Sequence, residues 1–451
     1  MAHYHITPSH RQRPPTAPGL PLIGHAHQFM GDPMPFFLEK YREFGPVFRL
    51  SVANREYVVM AGLEANMFLA REGDELLSSE VLFGPMGREM GADQFLVAMD
   101  GPPHRHLRKL MRAGYAKTAT EPHLADLVRI ARECVSSWKP GQPISVLDNM
   151  QWIAFQEISQ VIYREDMREH FEDARIVFRY LLNVLMIQRW PRFMLKHPRY
   201  LKAKRALLQL AKELVAKQEL DTDLRSLLLS DLVTATDLDG HPYSEGDQLM
   251  FAMGPFAAGL DSLASTLGFM LYALVSRPGV MARVRAEVDL HFKDEAIPVL
   301  RDLPRLEALY GACIEVLRLH PVTPFIPRMA AESFEFAGYQ IEQGDQLLIL
   351  TGLTHFMPEY FPEPYQFDID RYRAPRSEHR QALGVLNPYG LGGHSCLGAG
   401  MAEVLLMITT AALVQSATYE MDPPDYQLKT RLTPIPSPDR GFKVKVIKHR
   451  H

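Results

Sequence analysis

Followed for the spacing of apolar and polar positions, the chain reads as mostly helical. Apolar residues recur every three or four positions over 33–44, 103–117, 123–139, 147–163, 167–188, 199–218, 224–235, 278–292 and 306–319, and each stretch predicts a helix. Over 244–276 the apolar character runs all round, as in a helix buried through a core or crossing a bilayer. A last helix is predicted over 397–415. The runs VFRLSV and REYVVMA, ahead of Gly62, predict strands, and 333–339, 346–349 and 443–447 predict three more. From 358 to 388, prolines, aromatic residues and paired charges follow no period, and irregular segments of that length inside a domain are usually functional. No repeat or low-complexity tract divides the chain. The expectation is a mainly α protein with a minor β portion: a Pro-rich arm over 1–30 and a single large domain over 31–451.

Composition narrows the class. With 47% hydrophobic and 23% charged residues, the 451-residue chain has a globular balance. Its net charge of −4 includes no long run of one sign, so no nucleic-acid partner is expected. Three widely spaced cysteines, Cys134, Cys313 and Cys396, do not make a disulfide framework, and a reducing cytoplasm is the simpler assignment. The arm carries histidines, basic residues and prolines without an apolar core, so neither a signal peptide nor a membrane anchor is expected there. Over 248–276 the only charge is Asp261, near the middle, where a carboxylate costs about 2.5–3.5 kcal/mol on insertion into a bilayer. Pro255, Ser262, Ser265 and Thr266 crowd the same region. A core helix is therefore expected, with no transmembrane anchor.

The densest chemical signal is YGLGGHSCLG, Tyr389 to Gly398. Gly390, Gly392 and Gly393 allow a tight loop whose backbone can approach a flat ligand. Cys396 falls where that loop enters a helix, and free N–H groups with the positive end of the helix dipole favour thiolate over thiol. A lone cysteine at a helix start is most often structural. The whole ten-residue pattern, however, resembles the haem-binding loop of the cytochrome P450 family. That resemblance implies Cys396 as the iron ligand, His394 beside a haem propionate, Gly398 leaving room for the porphyrin edge, and Tyr389 in place of the commoner Phe.

Further segments resemble the same family in the order expected of it. In EVLR, Glu315 and Arg318 stand one helical turn apart. Glu-x-x-Arg alone is what many solvated helix faces carry, but the family closes a buried cluster with an arginine of the later irregular region, here Arg371. The resemblance gives these three a structural role. It assigns propionate contacts to His104 and Arg108, i and i+4 in DGPPHRHLRKLMR, and to Arg328 in HPVTPFIPRM. Arg105, Lys109 and Arg112 form either a solvated basic face or a dock for an acidic redox partner. AGLDS, residues 258–262, resembles the oxygen-activating signature. Gly259 then gives room for dioxygen and Asp261 relays protons with Ser262, which stands where Thr is usual. The alternative is an Asp261 that only pairs with a core residue. Cys134 and Cys313 read as inert core residues.

The resemblance implies a cytochrome P450 fold enclosing haem b. It implies a monooxygenase that inserts one atom of O2 into a lipophilic small molecule, with NAD(P)H electrons through a ferredoxin or flavodoxin and its reductase. A peroxide-dependent peroxygenase on the same fold and a haem gas sensor are the alternatives. By family analogy the pocket draws on 82–97, 178–199, 256–260, 323–326 and 433–436, with Phe83, Phe95, Phe256, Phe325 and Ile326 making it apolar.

Overall fold

The computed structural model describes residues 12–53, 55–220, 228–292 and 299–450. The first four residues of the predicted helix at 224–235 lie outside the described residues, which omit 221–227. Helix α1 (Met34–Phe44) buries Met34, Phe37 and Leu38 against strands β1 (Val47–Val52) and β2 (Arg55–Ala61), which pair antiparallel from Val47↔Met60 to Val52↔Arg55. Both strands occupy the two runs read from the sequence. The described part of the N-terminal arm lies along this sheet: Ala17 N donates to Arg49 O, and Arg13 pairs with Asp345 at 2.8 Å.

Helices α2 (Gly62–Arg71) and α3 (Gly73–Leu76), strand β3 (Leu77–Ser78) and helix α4 (Glu80–Glu89) follow. The pocket segment expected as a loop over 82–97 is thus helical in its first half, with Pro85 inside α4. Then come α5 (Gly101–Met111), α6 (Leu124–Ser136), β4 (Pro143–Ser145), α7 (Val146–Tyr163) and α8 (Phe171–Leu181). The helix predicted over 167–188 ends early. After Leu181 the chain loosens into a π turn, Leu182–Met186. Helices α9 (Pro198–Leu220) and α10 (Leu229–Val233) lead to α11 (Glu245–Val275), the axis of the molecule.

A capping box starts α11: Ser244 Oγ accepts from Asp247 N, and the Asp247 carboxylate accepts from Ser244 N. The same carboxylate accepts from Asp93 N and Gln94 N, tying the segment after α4 to the start of the axis. Among the described residues, two helices, α11 and α14 (Ala399–Ser416), are long and apolar enough to span a bilayer, and 67% and 78% of their most apolar windows are buried inside the fold. Their apolarity is used in the core, α11 against α7 and α14 against α6.

Helices α12 (Pro278–His291) and α13 (Glu307–Leu319) precede strands β5 (Ile326–Ala330), β6 (Phe334–Phe336), β7 (Tyr339–Ile341) and β8 (Gln346–Leu350). The single strand predicted over 333–339 is a hairpin instead, because Gly338 turns the chain at φ +82°. The larger sheet runs β1-β2-β8-β5-β3, with β2 and β8 parallel. After α14, β9 (Ala417–Asp422), the short pair β10 (Thr430–Arg431) and β11 (Ser437–Pro438), and β12 (Lys443–His449) complete the chain. Strand β12 lies between β4 and β9.

Candidate haem and oxygen site

The loop ahead of α14 is shaped by its glycines. Gly390 and Gly392 take φ of +73° and +70°, which side-chain-bearing residues rarely adopt. Gly393 donates its N–H to Asp74 Oδ1 at 3.1 Å, and a Cβ there would stand 1.9 Å from Asp74 Oδ2. The loop closes as Cys396 N donates to Tyr389 O at 2.7 Å, and α14 begins three residues later. The accessible surface of Cys396 faces an internal cavity rather than the outside, since the surrounding chain encloses the residue. Burial pushes its thiol up, while the Gly398 N–H and the Arg108 cation pull the other way. In the chain alone the burial penalty thus outweighs the helix-terminal effect expected from the sequence. Cys134 and Cys313 are buried, and burial raises both thiols, that of Cys134 to about 12.

Cys396 shares a cavity of about 480 Å³ with His104, Arg108, Arg328, Tyr389, Gly390, His394 and Gly398 on one side, and Gly259, Ser262 and Thr266 of α11 on the other. The cavity is predominantly apolar, lined by Phe83, Phe95, Ile326, Met86, Leu182 and Met186 among others. Arg108 donates to Ser395 O at 2.5 Å, so α5 is fastened beside the cysteine. His104 and His394 stack with ring centroids 4.0 Å apart. His394 Nε2 lies 3.3 Å from Asp100 Oδ1. Burial would raise the Asp100 carboxyl, but bonds from His394, Ser78 and Ser79 N outweigh it and hold the group at about 2. Burial lowers His104 to about 4, helped by His394 and Arg108, and lowers Arg328 to about 10.

A haem fits this donor set. One soft sulfur stands at the helix end, and two guanidiniums and an imidazole at the cavity wall can face two carboxylates. Among the described residues, His104 Nδ1 is buried without a partner, and the Arg328 guanidinium makes one hydrogen bond, to Pro327 O, leaving donors for an anionic group.

Below this wall, Glu315 and Arg318 are fully buried on α13. Arg318 donates Nε and Nη2 to the two carboxylate oxygens at 2.8 Å each. Arg371 Nε adds a bond at 3.2 Å, and Asp368 N and the Tyr372 hydroxyl add two more. Through their remaining donors, Arg318 reaches His355 O and Pro364 O, and Arg371 reaches Pro362 O and Glu378. The aperiodic segment leading to the cysteine loop is therefore clamped to α13.

Several sequence-derived assignments land elsewhere. Phe256 lies on the far face of α11, stacked between Phe155 and Tyr163, and does not line the cavity. Phe325 turns away to meet Phe29 in a separate cluster beneath the larger sheet. Thr433 and Pro434 border a second crevice, not the cysteine cavity. Asp261 and Ser262 do not share a wall. Adjacent helical residues project about 100° apart, and Asp261 faces that second crevice, its Oδ1 accepting from Gln151 Nε2 at 2.6 Å. Burial raises the Asp261 carboxyl. Ser262 Oγ lies in the main cavity and donates to Ala258 O at 2.7 Å. Tyr115, not named from the sequence, and Thr266, named there without a site role, also line the main cavity. Thr266 follows Ser262 by one turn and donates to its carbonyl at 2.9 Å, a spacing that could have flagged it.

The family model described as cytochrome P450 matches residues 14–446. A sterol 14alpha-demethylase of Mycolicibacterium vanbaalenii is 26% identical over 416 residues, covering 89% of this chain and 90% of that protein. Cyclooctat-9-en-7-ol 5-monooxygenase of Streptomyces melanosporofaciens is 26% identical over 459 aligned positions, covering 96% and 94%. Among solved structures, the cytochrome P450DA heme domain superposes with a TM-score of 0.83 at 22% identity, covering 98% of each chain. A retinoic acid-bound cyanobacterial CYP120A1 gives 0.82 at 20% identity, covering 97% and 100%. At these identities the two structures carry the fold.

Proposed function

The chain belongs to the cytochrome P450 family and is an oxidoreductase of monooxygenase type, and from that premise we propose that it inserts one atom of O2 into a lipophilic small molecule with electrons from a separate partner. The observation that carries this reading is one apolar cavity in which the Cys396 sulfur, the cations Arg108 and Arg328, and the Ser262 hydroxyl all appear together. Haem b, when bound, supplies the binding and reductive activation of dioxygen and the transfer of one oxygen atom.

The chain does the rest. Cys396 would supply the sulfur that binds the iron, and Arg108, Arg328 and His104, with His394 stacked on it, would hold the propionates. Gly259 borders the cavity on the α11 side, and its missing side chain admits Ile158 of α7, whose Cδ1 a Cβ there would meet at 2.8 Å. Ser262 presents its hydroxyl inside the cavity while Asp261 stands at the outer crevice on the neighbouring wall of α11, and proton delivery through the pair requires Asp261 to turn from Gln151 toward the cavity. The roles of Glu315, Arg318 and Arg371 are structural.

The apolar lining by Phe83, Phe95, Ile326 and methionines excludes water and favours a terpenoid- or sterol-like substrate. The names of the two curated relatives agree with that class. Arg105 and Lys109 of α5 and Arg112 at its end are exposed, each next in sequence or one turn away from His104 and Arg108, which face the cysteine cavity. They suit the docking of an acidic ferredoxin or flavodoxin fed by its NAD(P)H reductase, in the cytoplasm and without a membrane anchor.

The test is turnover of a terpenoid panel with ferredoxin, reductase, NADPH and isotopically labelled dioxygen. One labelled oxygen atom in the product is expected. Equal rates with hydrogen peroxide alone contradict the monooxygenase reading and favour a peroxygenase. Haem and carbon monoxide binding with no oxygenation of any substrate favours a gas sensor.

A further inference from the structure

The crevice on the far side of α11 has a composition that proton passage does not require. It encloses about 300 Å³ and is bordered by five arginines against one carboxylate, Asp261. The arginines come from segments far apart in sequence: Arg175 and Arg179 from α8, Arg189 from beyond the π turn, Arg431 from β10, and Arg440 from the segment before β12. Only Arg175 is neutralised, by Asp148 at 3.2 Å and Glu172 at 3.7 Å. Among the described residues, Arg179, Arg189, Arg431 and Arg440 have no carboxylate within ion-pair distance.

Fold stability gives no reason to gather like charges this way. Unpaired guanidiniums repel one another, and that repulsion, after burial, lowers both Arg179 and Arg431. Arg179 Nε is buried without a hydrogen-bond partner, a cost that native structures rarely accept without a ligand or water to meet it. Asp261 is one carboxylate among five guanidiniums: its Oδ1 accepts from Gln151, and burial raises the carboxyl although Arg431, Arg175 and Arg179 pull the other way. Arg189, Arg431 and Arg440 are exposed, so the crevice is reachable from solvent.

We propose that this crevice is a binding site for a phosphate-class oxyanion, held by Arg179, Arg189, Arg431 and Arg440. Guanidiniums present planar forks of donors that match tetrahedral oxyanions in pairs. Four of them offer more donors than the two oxygens of a carboxylate can accept; a phosphate dianion brings four acceptor oxygens and offsets two of their four positive charges. Trp190, Leu147 and Pro434 border the same space, so an organic phosphate monoester fits as well as the free ion.

Isothermal titration of the haem-loaded full chain with inorganic phosphate, against chloride at equal ionic strength, tests the site. Saturable binding of phosphate is expected, with Arg179→Gln and Arg431→Gln each weakening it about tenfold or more. Arg129→Gln, on another surface, should leave it unchanged. Far-UV spectra and melting midpoints show that each variant is folded. Phenyl phosphate binding tighter than inorganic phosphate identifies an organic monoester as the ligand, and equal binding identifies the free ion. Phosphate indistinguishable from chloride, or arginine variants that bind as the parent does, would overturn the proposal.

Discussion

Replacing Glu315 with Gln is the sharpest stability test of the segment beneath the cysteine loop. The substitution keeps volume, so no cavity term enters. It removes the charge that two fully buried arginines share, and its amide N–H groups face guanidinium donors at one of the two 2.8 Å contacts with Arg318. Breaking a buried pair from one side costs about 3–5 kcal/mol, because the partner charge stays buried and unpaired. The Asp368 N–H and the Tyr372 hydroxyl also lose part of their acceptor. The matched control is Glu133→Gln, whose 3.0 Å pair with Arg129 is about half exposed on both sides and should contribute less than about 0.5 kcal/mol. Urea unfolding followed by far-UV circular dichroism is the assay of choice. For a chain of 451 residues, an unfolding entropy of roughly 2.1 cal/mol/K per residue compresses even 3–5 kcal/mol into a melting shift of about 3–5 °C. A Glu315→Gln protein within about 1 kcal/mol of the Glu133→Gln control would refute the reasoning.

Three further outcomes follow from buried groups and close approaches. Glu157 is fully buried with, among the described residues, only Thr409 Oγ1 as side-chain partner, and burial raises it to about 8 despite that bond. The fold therefore keeps a proton that the unfolded chain releases near pH 4.3. Stability present at low pH is lost as pH rises toward 8, by at most about 1.4 kcal/mol per unit. Glu157→Gln should flatten that slope in urea melts between pH 5 and 8, and an unchanged slope would count against a buried neutral carboxyl. Ser262→Ala removes the hydroxyl from the cavity wall; the fraction of NADPH consumption ending as hydrogen peroxide should rise severalfold, and unchanged coupling would place proton delivery elsewhere. Gly393→Ala drives a methyl into Asp74, so haem content per purified chain should fall while Gly279→Ala, in open space, retains it.

Much of this was legible in the sequence because it is written in local pattern. Strands β1 and β2 follow their apolar runs residue for residue, and α11 declares itself by length without charge. The cysteine loop was readable because glycines at positive φ cannot be exchanged for other residues without strain. Local pattern fails where a face must be chosen. Phe256 and Gly259 sit on one helix, yet only the second borders the cavity, since the Phe256 ring is held between Phe155 and Tyr163. Asp261 and Ser262 were read as one device although helical geometry sends neighbours to different walls. Helix α4 was hidden by Pro85 and three short turns of mixed polarity. The arginine crevice was invisible for a different reason: its members come from separate segments that only the folded chain brings together.

The central claim is that Cys396 is a thiolate ligand in a haem cavity, and the spectrum of the reduced, carbon monoxide-exposed protein tests it most directly. A strongly red-shifted Soret band is predicted for the parent chain, lost in Cys396→Ala while Cys134→Ala and Cys313→Ala retain it. A histidine-type spectrum in the parent, or a band that survives Cys396→Ala, would contradict the account.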